Sequence, residues 1–302
     1  GCEVIKHQTH FIEDEMTIEA KNIFPPNADI SIWDVMEKCA LSKSEEISLK
    51  KHTEDLGMIY ISTPFSRKAA DFLAEIGVPA FKIGSGEADN LPLISHIANF
   101  GKPIILSTGM QTIDSISSSV KIMTDANIEF ALLECTNLYP SPPEIVSLAG
   151  ISELQAAFPS SLVGFSDHSI GPEIALAAVA LGSCIIERHF TDSRYRSGPD
   201  ISCSMDPSEL KYLIERAAEI HVARNNKKHR SKPEEDVYRF ARASVVADRD
   251  LAIGSSLTEK DIWVRRPGSG PIAAADYYKL IGKTLKTEKK ANEFIDWSDI
   301  EA

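Results

Sequence analysis

The chain has 302 residues, of which 43% are hydrophobic and 25% charged, the balance of a globular protein that forms one barrel-sized domain or a barrel plus a small appendage. A formal net charge of −12 at pH 7 excludes non-specific nucleic-acid binding, because phosphate-rich partners are repelled. No apolar stretch reaches membrane-spanning length and no signal peptide opens the chain, so neither a membrane nor a secretory route is expected. The five widely spaced cysteines, Cys2, Cys39, Cys135, Cys184 and Cys203, fit reduced thiols in a cytoplasmic protein and lack zinc-ribbon or redox spacing.

In chain order, a strand at 4–5 leads into a long connection in which Pro25-Pro26-Asn27 breaks any helix and 32–36 and 45–56 read as helical. Apolar strands then alternate with helices: strand 58–61, helix 67–76, strand 80–83, helix 91–99, strand 104–106, helix 113–124, strand 130–133, helix 151–157, strand 162–165, helix 172–181, strand 184–186 and helix 207–223. Continuous apolar strands of this kind belong to a parallel sheet buried on both faces. Seven strand–helix units result, whereas a closed TIM (β/α)8 barrel has eight. The expectation is therefore an α/β barrel over residues 1–224 whose first βα unit precedes Gly1.

The basic stretch Asn225-Asn226-Lys227-Lys228-His229-Arg230-Ser231-Lys232-Pro233 lacks an apolar period and reads as a solvated linker, taken as 225–240. Residues 241–302 change character. Strand-like segments at 243–247 and 262–264, punctuated by Gly254, Pro267-Gly268-Ser269-Gly270 and Gly282, predict a small β-rich module too short for much core of its own, which should dock on something.

Nearly every barrel strand ends in polar, chemically capable residues, and a parallel barrel brings all such ends to one face. His168 and His189 close consecutive strands near Asp167, Glu187 and Asp200. Two adjacent imidazoles suit a divalent ion with open positions, although structural hydrogen bonding is the commoner use of a histidine. His7 and His10 flank Gln8 and would orient neighbouring side chains. Lys6 and Lys82 also end strands. A buried ammonium needs an anion, either a ligand or Glu13, Glu87 or Glu134. Thr63, Ser85, Ser107 and Ser166 supply hydroxyl donors, and Gly84, Gly86 and Gly109 allow close backbone approach, as a phosphate-plus-carboxylate ligand requires. Asn137 and Tyr139 suit a polyhydroxylated partner. Cys135 has no histidine–acid arrangement near it in sequence and reads as a buried structural thiol.

These runs resemble bacterial N-acetylneuraminate (sialic acid) synthases. The resemblance is carried by Lys6-His7-Gln8-Thr9-His10 with Glu13-Asp14-Glu15-Met16, Ser62-Thr63-Pro64-Phe65-Ser66, Lys82-Ile83-Gly84-Ser85-Gly86-Glu87, Cys135-Thr136-Asn137-Leu138-Tyr139-Pro140, Ser166-Asp167-His168, Glu187-Arg188-His189-Phe190-Thr191-Asp192 and Gly198-Pro199-Asp200. It spans the whole chain, with 241–302 similar to the family's antifreeze-like (SAF, β-clip) domain. It implies condensation of phosphoenolpyruvate with N-acetylmannosamine and water to N-acetylneuraminate and phosphate. His168 and His189 would hold a divalent metal, manganese in the first instance, with magnesium or cobalt as substitutes. Lys6, Thr63, Lys82, Ser85, Ser107, Asn137 and Ser166 match the phosphoenolpyruvate site. Gln8, Glu87, Tyr139 and Asp200 match the sugar contacts. Arg266 matches an arginine that the SAF domain of one subunit extends into its partner's active site, implying a domain-swapped homodimer. Glu187 is the candidate to activate water. The alternatives are a legionaminic or pseudaminic acid synthase, the same chemistry on a modified deoxy sugar. Outside that chemistry stand a non-catalytic barrel that binds an anionic sugar and a metal-dependent isomerase or phosphohydrolase.

Overall fold

Seven strands, all parallel, pair in strict chain order, and each βα connection returns the chain to the same end of the sheet. The computed structural model describes every residue except 26, 27, 199 and 302. Part of the helix-breaking run Pro25-Pro26-Asn27, and Pro199 within Gly198-Pro199-Asp200, lie outside the described residues. The chain divides into two compact units, Gly1–Asn226 and Lys227–Ala302.

The first unit runs β1 (Val4–Thr9), α1 (Ile12–Glu15), α2 (Ile32–Cys39), α3 (Lys43–Asp55), β2 (Ile59–Pro64), α4 (Arg67–Glu75), β3 (Phe81–Ile83), α5 (Leu91–Ala98), β4 (Ile104–Ser107), α6 (Ile113–Asp125), β5 (Phe130–Cys135), α7 (Ala149–Ala157), β6 (Leu162–Asp167), α8 (Glu173–Leu181), β7 (Ile186–Arg188) and α9 (Pro207–Arg224). Side-chain oxygens start several of the helices. Ser42, Thr112 and Asp206 each accept the backbone N–H three residues on, in reciprocal capping boxes with Glu45, Ser115 and Glu209. Gly182 ends α8 at φ 114°, a conformation that suits glycine. The core is continuous across the sheet: Phe81, Ile83, Ile104, Leu106, Leu132 and Phe165 from the strands pack with Leu73, Ile94, Ile97, Ile116 and Ile151 from the helices.

Strand bounds differ from the expectation: β1 runs on to Thr9 and β2 to Pro64, so Lys6 and Thr63, like Lys82 in β3, lie within strands and do not follow them, and the last strand is shifted. The last follows Cys184-Ile185 and comprises Ile186–Arg188, paired with β6 from Phe165↔Ile186 to Asp167↔Arg188. Cys184 and Ile185 still support the sheet from just outside it: Cys184 donates its N–H to Val163, and the Ile185 carbonyl accepts from Phe165.

The second unit begins with a helix, α10 (Glu235–Ala241), inside the stretch read as linker. Antiparallel strands β8 (Ser244–Ala247) and β9 (Ile262–Arg265) follow. Contrary to the expectation of little core, this unit encloses one of its own, with Val245, Ala247, Leu257, Ile262, Ile272, Leu280, Leu285 and Ile295 all buried. Short extended segments tied by isolated bridges (Val246↔Phe294, Leu251↔Lys289, Ser256↔Thr284) concentrate that many apolar side chains in few residues. All five cysteines are free. Among the described residues no helix is long and apolar enough to cross a membrane.

Candidate active site

The site is built from strand ends. Residues alternate faces along a strand, so Lys6 and Gln8 share the face of Ile61 and Thr63, their partners across the β1–β2 register. From β3, Lys82 is buried at 3% exposure and donates to the Ser107 hydroxyl on β4 at 2.8 Å. Its counter-ion is Glu187 on β7. Glu187 Oε2 lies 3.4 Å from Lys82 Nζ and Oε1 lies 3.6 Å from Lys6 Nζ, so one carboxylate bridges two ammonium groups from the far side of the sheet. The Ser166 hydroxyl donates to Glu187 Oε1 at 3.4 Å. Of the acids weighed from sequence, neither Glu13 nor Glu87 nor Glu134 takes this place. Burial pushes the Glu187 carboxyl up, but Lys82, Lys6 and His189 outweigh it and hold it at about 2. Burial also pulls Lys82 below the usual lysine range, against the opposing pull of Glu187.

Beside the ion pair, Ser85 accepts the N–H of Gly109 at 3.0 Å. Gly109 has no room for a side chain, since a Cβ would fall 1.9 Å from Asn137 Oδ1. The Thr63 hydroxyl is buried with no partner among the described residues. An orphaned donor there, next to lysines and serine hydroxyls, is what a cradle for an oxygen-rich anion presents before it is filled.

The imidazoles of His168 and His189 stand 5.2 Å apart between centroids, at 80°. His168 Nδ1 donates to the Thr136 carbonyl at 2.8 Å, and His189 Nδ1 faces Asp200 Oδ2 at 3.4 Å. With Nδ1 bonded to the Thr136 carbonyl, His168 presents the lone pair of Nε2, the second-sphere pattern of a metal-binding histidine, and His189 stands beside it with Asp200 near its Nδ1. Burial lowers both histidines, and the neighbouring His168 and Lys6 help to bring His189 to about 3. Both rings are therefore neutral near pH 7 and fit as donors to a divalent cation. Among the described residues no group of three or more His, Cys, Asp and Glu side chains forms a closed metal cluster. The donor set is an open pair.

Asp167 plays a different part from the one expected. It faces away from the imidazoles and pairs with Arg188, both side chains almost wholly buried. His10 bonds to Glu15 and stacks on Phe65 at 4.7 Å, away from Gln8. His7 is held at about 4 by burial and its neighbours His10 and Lys6, and its Nε2 has no hydrogen-bond partner among the described residues.

On the sugar side, the Tyr139 ring lies 4.2 Å from His168 and 5.7 Å from His189 between centroids, and burial keeps its hydroxyl protonated. Glu87 is half-buried and accepts from Asn90. Gln8 is exposed. Arg266 belongs to the second unit, where it is exposed directly after β9.

Sequence reasoning missed two participants. The Thr136 carbonyl, a backbone group, leaves no mark in residue identity. Cys135 does join the site, with Sγ 3.9 Å from His168 Nδ1 and 3.3 Å from Asn137 Oδ1. Burial pushes its thiol up to about 11, which favours the protonated form at neutral pH and fits a structural thiol.

A parallel α/β sheet that gathers two lysines, several hydroxyls and a pair of imidazoles at one end has the layout of an enzyme active site. Comparison with known proteins makes this specific. The NeuB family model matches residues 1–229 and the SAF domain model residues 242–301. The chain is 35% identical over 303 residues to the N,N'-diacetyllegionaminic acid synthase of Campylobacter jejuni, covering 98% of this chain and 90% of that one. It is 34% identical over 238 residues to the N-acetylneuraminate-9-phosphate synthase of Homo sapiens, covering 78% and 66%. The solved N-acetylneuraminic acid synthetase of Leptospira borgpetersenii, crystallised with citrate, superposes with a TM-score of 0.71 at 29% identity, covering 78% and 79%. The chain belongs to the NeuB family, carries a SAF domain, and is an enzyme of the sialic-acid-synthase type.

Proposed function

We propose that this enzyme condenses phosphoenolpyruvate with N-acetylmannosamine and water to give N-acetylneuraminate and phosphate. The observation that carries the reading is Glu187 held between Lys6 and Lys82, with the Ser107, Ser166 and Thr63 hydroxyls around them, directly beside His168 and His189. Two ammoniums this close, one of them buried, need a counter-anion, and in this reading an incoming phosphate and carboxylate take over the lysines from Glu187. That exchange frees Glu187 from its counter-ions and raises its basicity.

Lys6, Lys82, Ser85, Ser107, Ser166, Thr63 and Asn137 then bind the enol phosphate and orient it in a site of lowered dielectric. Gln8, Glu87, Tyr139 and Asp200 hold the hydroxyl and acetamido groups of the open-chain sugar. A divalent ion on His168 and His189, manganese in the first instance, supplies Lewis-acid polarisation of the sugar aldehyde. The enol phosphate methylene bonds to the aldehyde carbon, whose oxygen takes up a proton. Water adds to the former central carbon of the enol phosphate as Glu187 accepts its proton. The C–O bond to phosphate then breaks as the new hydroxyl gives its proton to the departing inorganic phosphate, which leaves the keto group of the product. In this reading the functional unit is a homodimer in which Arg266 of each SAF domain reaches the other subunit's sugar.

A second reading keeps the chemistry and changes the sugar, to the deoxy sugars of the legionaminic or pseudaminic series. The near full-length match to the Campylobacter jejuni synthase favours it. Phosphate release from phosphoenolpyruvate and manganese, measured with each sugar in turn and with none, separates the readings. The proposal expects release only with a sugar and the highest kcat/KM for N-acetylmannosamine. A higher value for a deoxy sugar selects the second reading, and release without any sugar refutes both.

A further inference from the structure

We infer that the buried ion pair of Arg188 and Asp167, on the face of β6 and β7 away from the reacting groups, is a positioning clamp. It sets the separation of His168 and His189 and so the affinity of that pair for a divalent ion. The inference rests on the metal reading given above.

Arg188 and Asp167 are cross-strand partners, with side chains 4% and 1% exposed. Arg188 Nη1 donates to Asp167 Oδ2. Nη2 donates to the Ser169 carbonyl at 2.8 Å and to the Cys203 carbonyl at 3.3 Å. Asp167 Oδ1 accepts the Ser169 N–H at 2.8 Å. One guanidinium thus grips the residues on both sides of His168, namely Asp167 and Ser169, from the residue that immediately precedes His189.

Its third contact extends the grip to Asp200. The turn Ile201–Cys203 is wound on the Asp200 carbonyl, which accepts from the Cys203 N–H and the Ser204 hydroxyl. Arg188 holds this turn through Cys203, and Asp200 is the residue facing His189 Nδ1. The strand end itself is fixed by Met205, whose N–H donates to the His189 carbonyl at 2.8 Å.

A planar fork can bond a carboxylate and two carbonyls in fixed directions, whereas an ammonium on a flexible stem cannot. For stability alone, a buried ion pair is replaceable by apolar residues of similar volume. That difference separates positioning from plain support of the fold.

The test uses the full chain, Arg188→Lys, and the double variant Asp167→Leu/Arg188→Met. Each is titrated with manganese chloride alone, following loss of the free-ion paramagnetic resonance signal, with thermal melts alongside. The clamp predicts that the Lys variant, and the double variant where it folds, melts within a few degrees of the parent. It predicts a manganese Kd raised roughly tenfold or more, the range that outer-sphere partners of metal ligands command. At saturating manganese, kcat falls more than KM for phosphoenolpyruvate rises, because most of that substrate's proposed contacts (Lys6, Thr63, Lys82, Ser85, Ser107 and Asn137) lie outside β6 and β7. A folded variant that binds manganese as tightly as the parent overturns the clamp and leaves the metal reading standing. A parent chain that binds no manganese overturns the metal reading, and the clamp with it. If the double variant unfolds, Arg188→Lys decides, because it keeps the charge opposite Asp167 and loses only the fork.

Discussion

Glu187 separates two amines that would otherwise repel each other, and the proposed mechanism gives it two duties in sequence. As counter-ion it is fully ionised, held at about 2 against the pull of its own burial. As base it works only after a substrate anion has taken the lysines. Glu187→Gln should therefore divide binding from turnover. Phosphoenolpyruvate binding, measured by calorimetry without sugar, should be unchanged or tighter because the competing carboxylate is gone. Turnover should fall about a hundredfold or more, the usual worth of a positioned base. Parallel loss of both would assign Glu187 to substrate binding alone. Glu134 offers a pH test of the same electrostatics. Burial raises its carboxyl to about 7 from the ordinary 4.5, on the side of β5 where a side chain at Gly150 of α7 would fall 2.6 Å from it. The folded state then holds a proton that the unfolded chain releases between these values, so its contribution falls as pH rises from 4.5 to 7 and stays low above. Glu134→Gln should raise stability at pH 8 by on the order of 1–3 kcal/mol and leave it unchanged at pH 4. Equal melting shifts at both pH values would count against the assignment. The reacting residues were legible in the sequence because each ends an apolar run. Their partners were less so. Strand alternation sends Asp167 and Arg188 to the face opposite Ser166 and Glu187, a distinction that the polar character of all four residues conceals. Pairing Lys82 with Glu187 required knowing which strand ends meet across the sheet.

Among the elements, β6 and β7 carry most of the proposed chemistry, and their spacing is set by backbone packing. Gly164 in β6 has no room for a methyl group: a Cβ would lie 2.5 Å from Leu133 and 2.7 Å from the Ile185 carbonyl. Gly164→Ala should push the two strands apart, lower stability by about 1–3 kcal/mol as overpacking does, and weaken manganese binding. Urea unfolding and metal titration check the two effects. A destabilised variant with intact metal affinity would mean that the histidine spacing does not depend on this contact. Helices and strands were readable from apolar period and from caps such as Ser42 and Asp206. The last strand was displaced by two residues because Cys184-Ile185 is apolar but lies before the paired stretch. Helix α10 was hidden by its charged composition and its setting: a 3-10 turn over Lys232–Glu234, capped by Ser231 on Glu234, leads into it from within the basic run that reads as solvated coil.

At the scale of the whole molecule, the proposed dimer makes a prediction that no single-subunit mechanism shares. His189→Ala and Arg266→Ala should each be nearly inactive at low sugar concentration. If Arg266 serves the partner's site, subunit exchange between the two variants creates mixed dimers in which one site has both an intact barrel and an intact arm. About a quarter of parental activity should then return. If each arm serves its own barrel, no mixed dimer has an intact site and mixing restores nothing. The barrel rhythm and the composition change near residue 240 were plain in the sequence, whereas the core of the second unit was not. Its apolar residues come singly from short segments, without the runs that mark the barrel strands. The most direct measurement is a crystal of the full chain soaked with manganese chloride and phosphoenolpyruvate. An anomalous manganese peak on Nε2 of both His168 and His189, with the substrate's phosphate or carboxylate on Lys6 and Lys82 in place of Glu187, is the predicted result. Manganese bound elsewhere, or phosphoenolpyruvate bound away from both lysines while Glu187 keeps them, would contradict it.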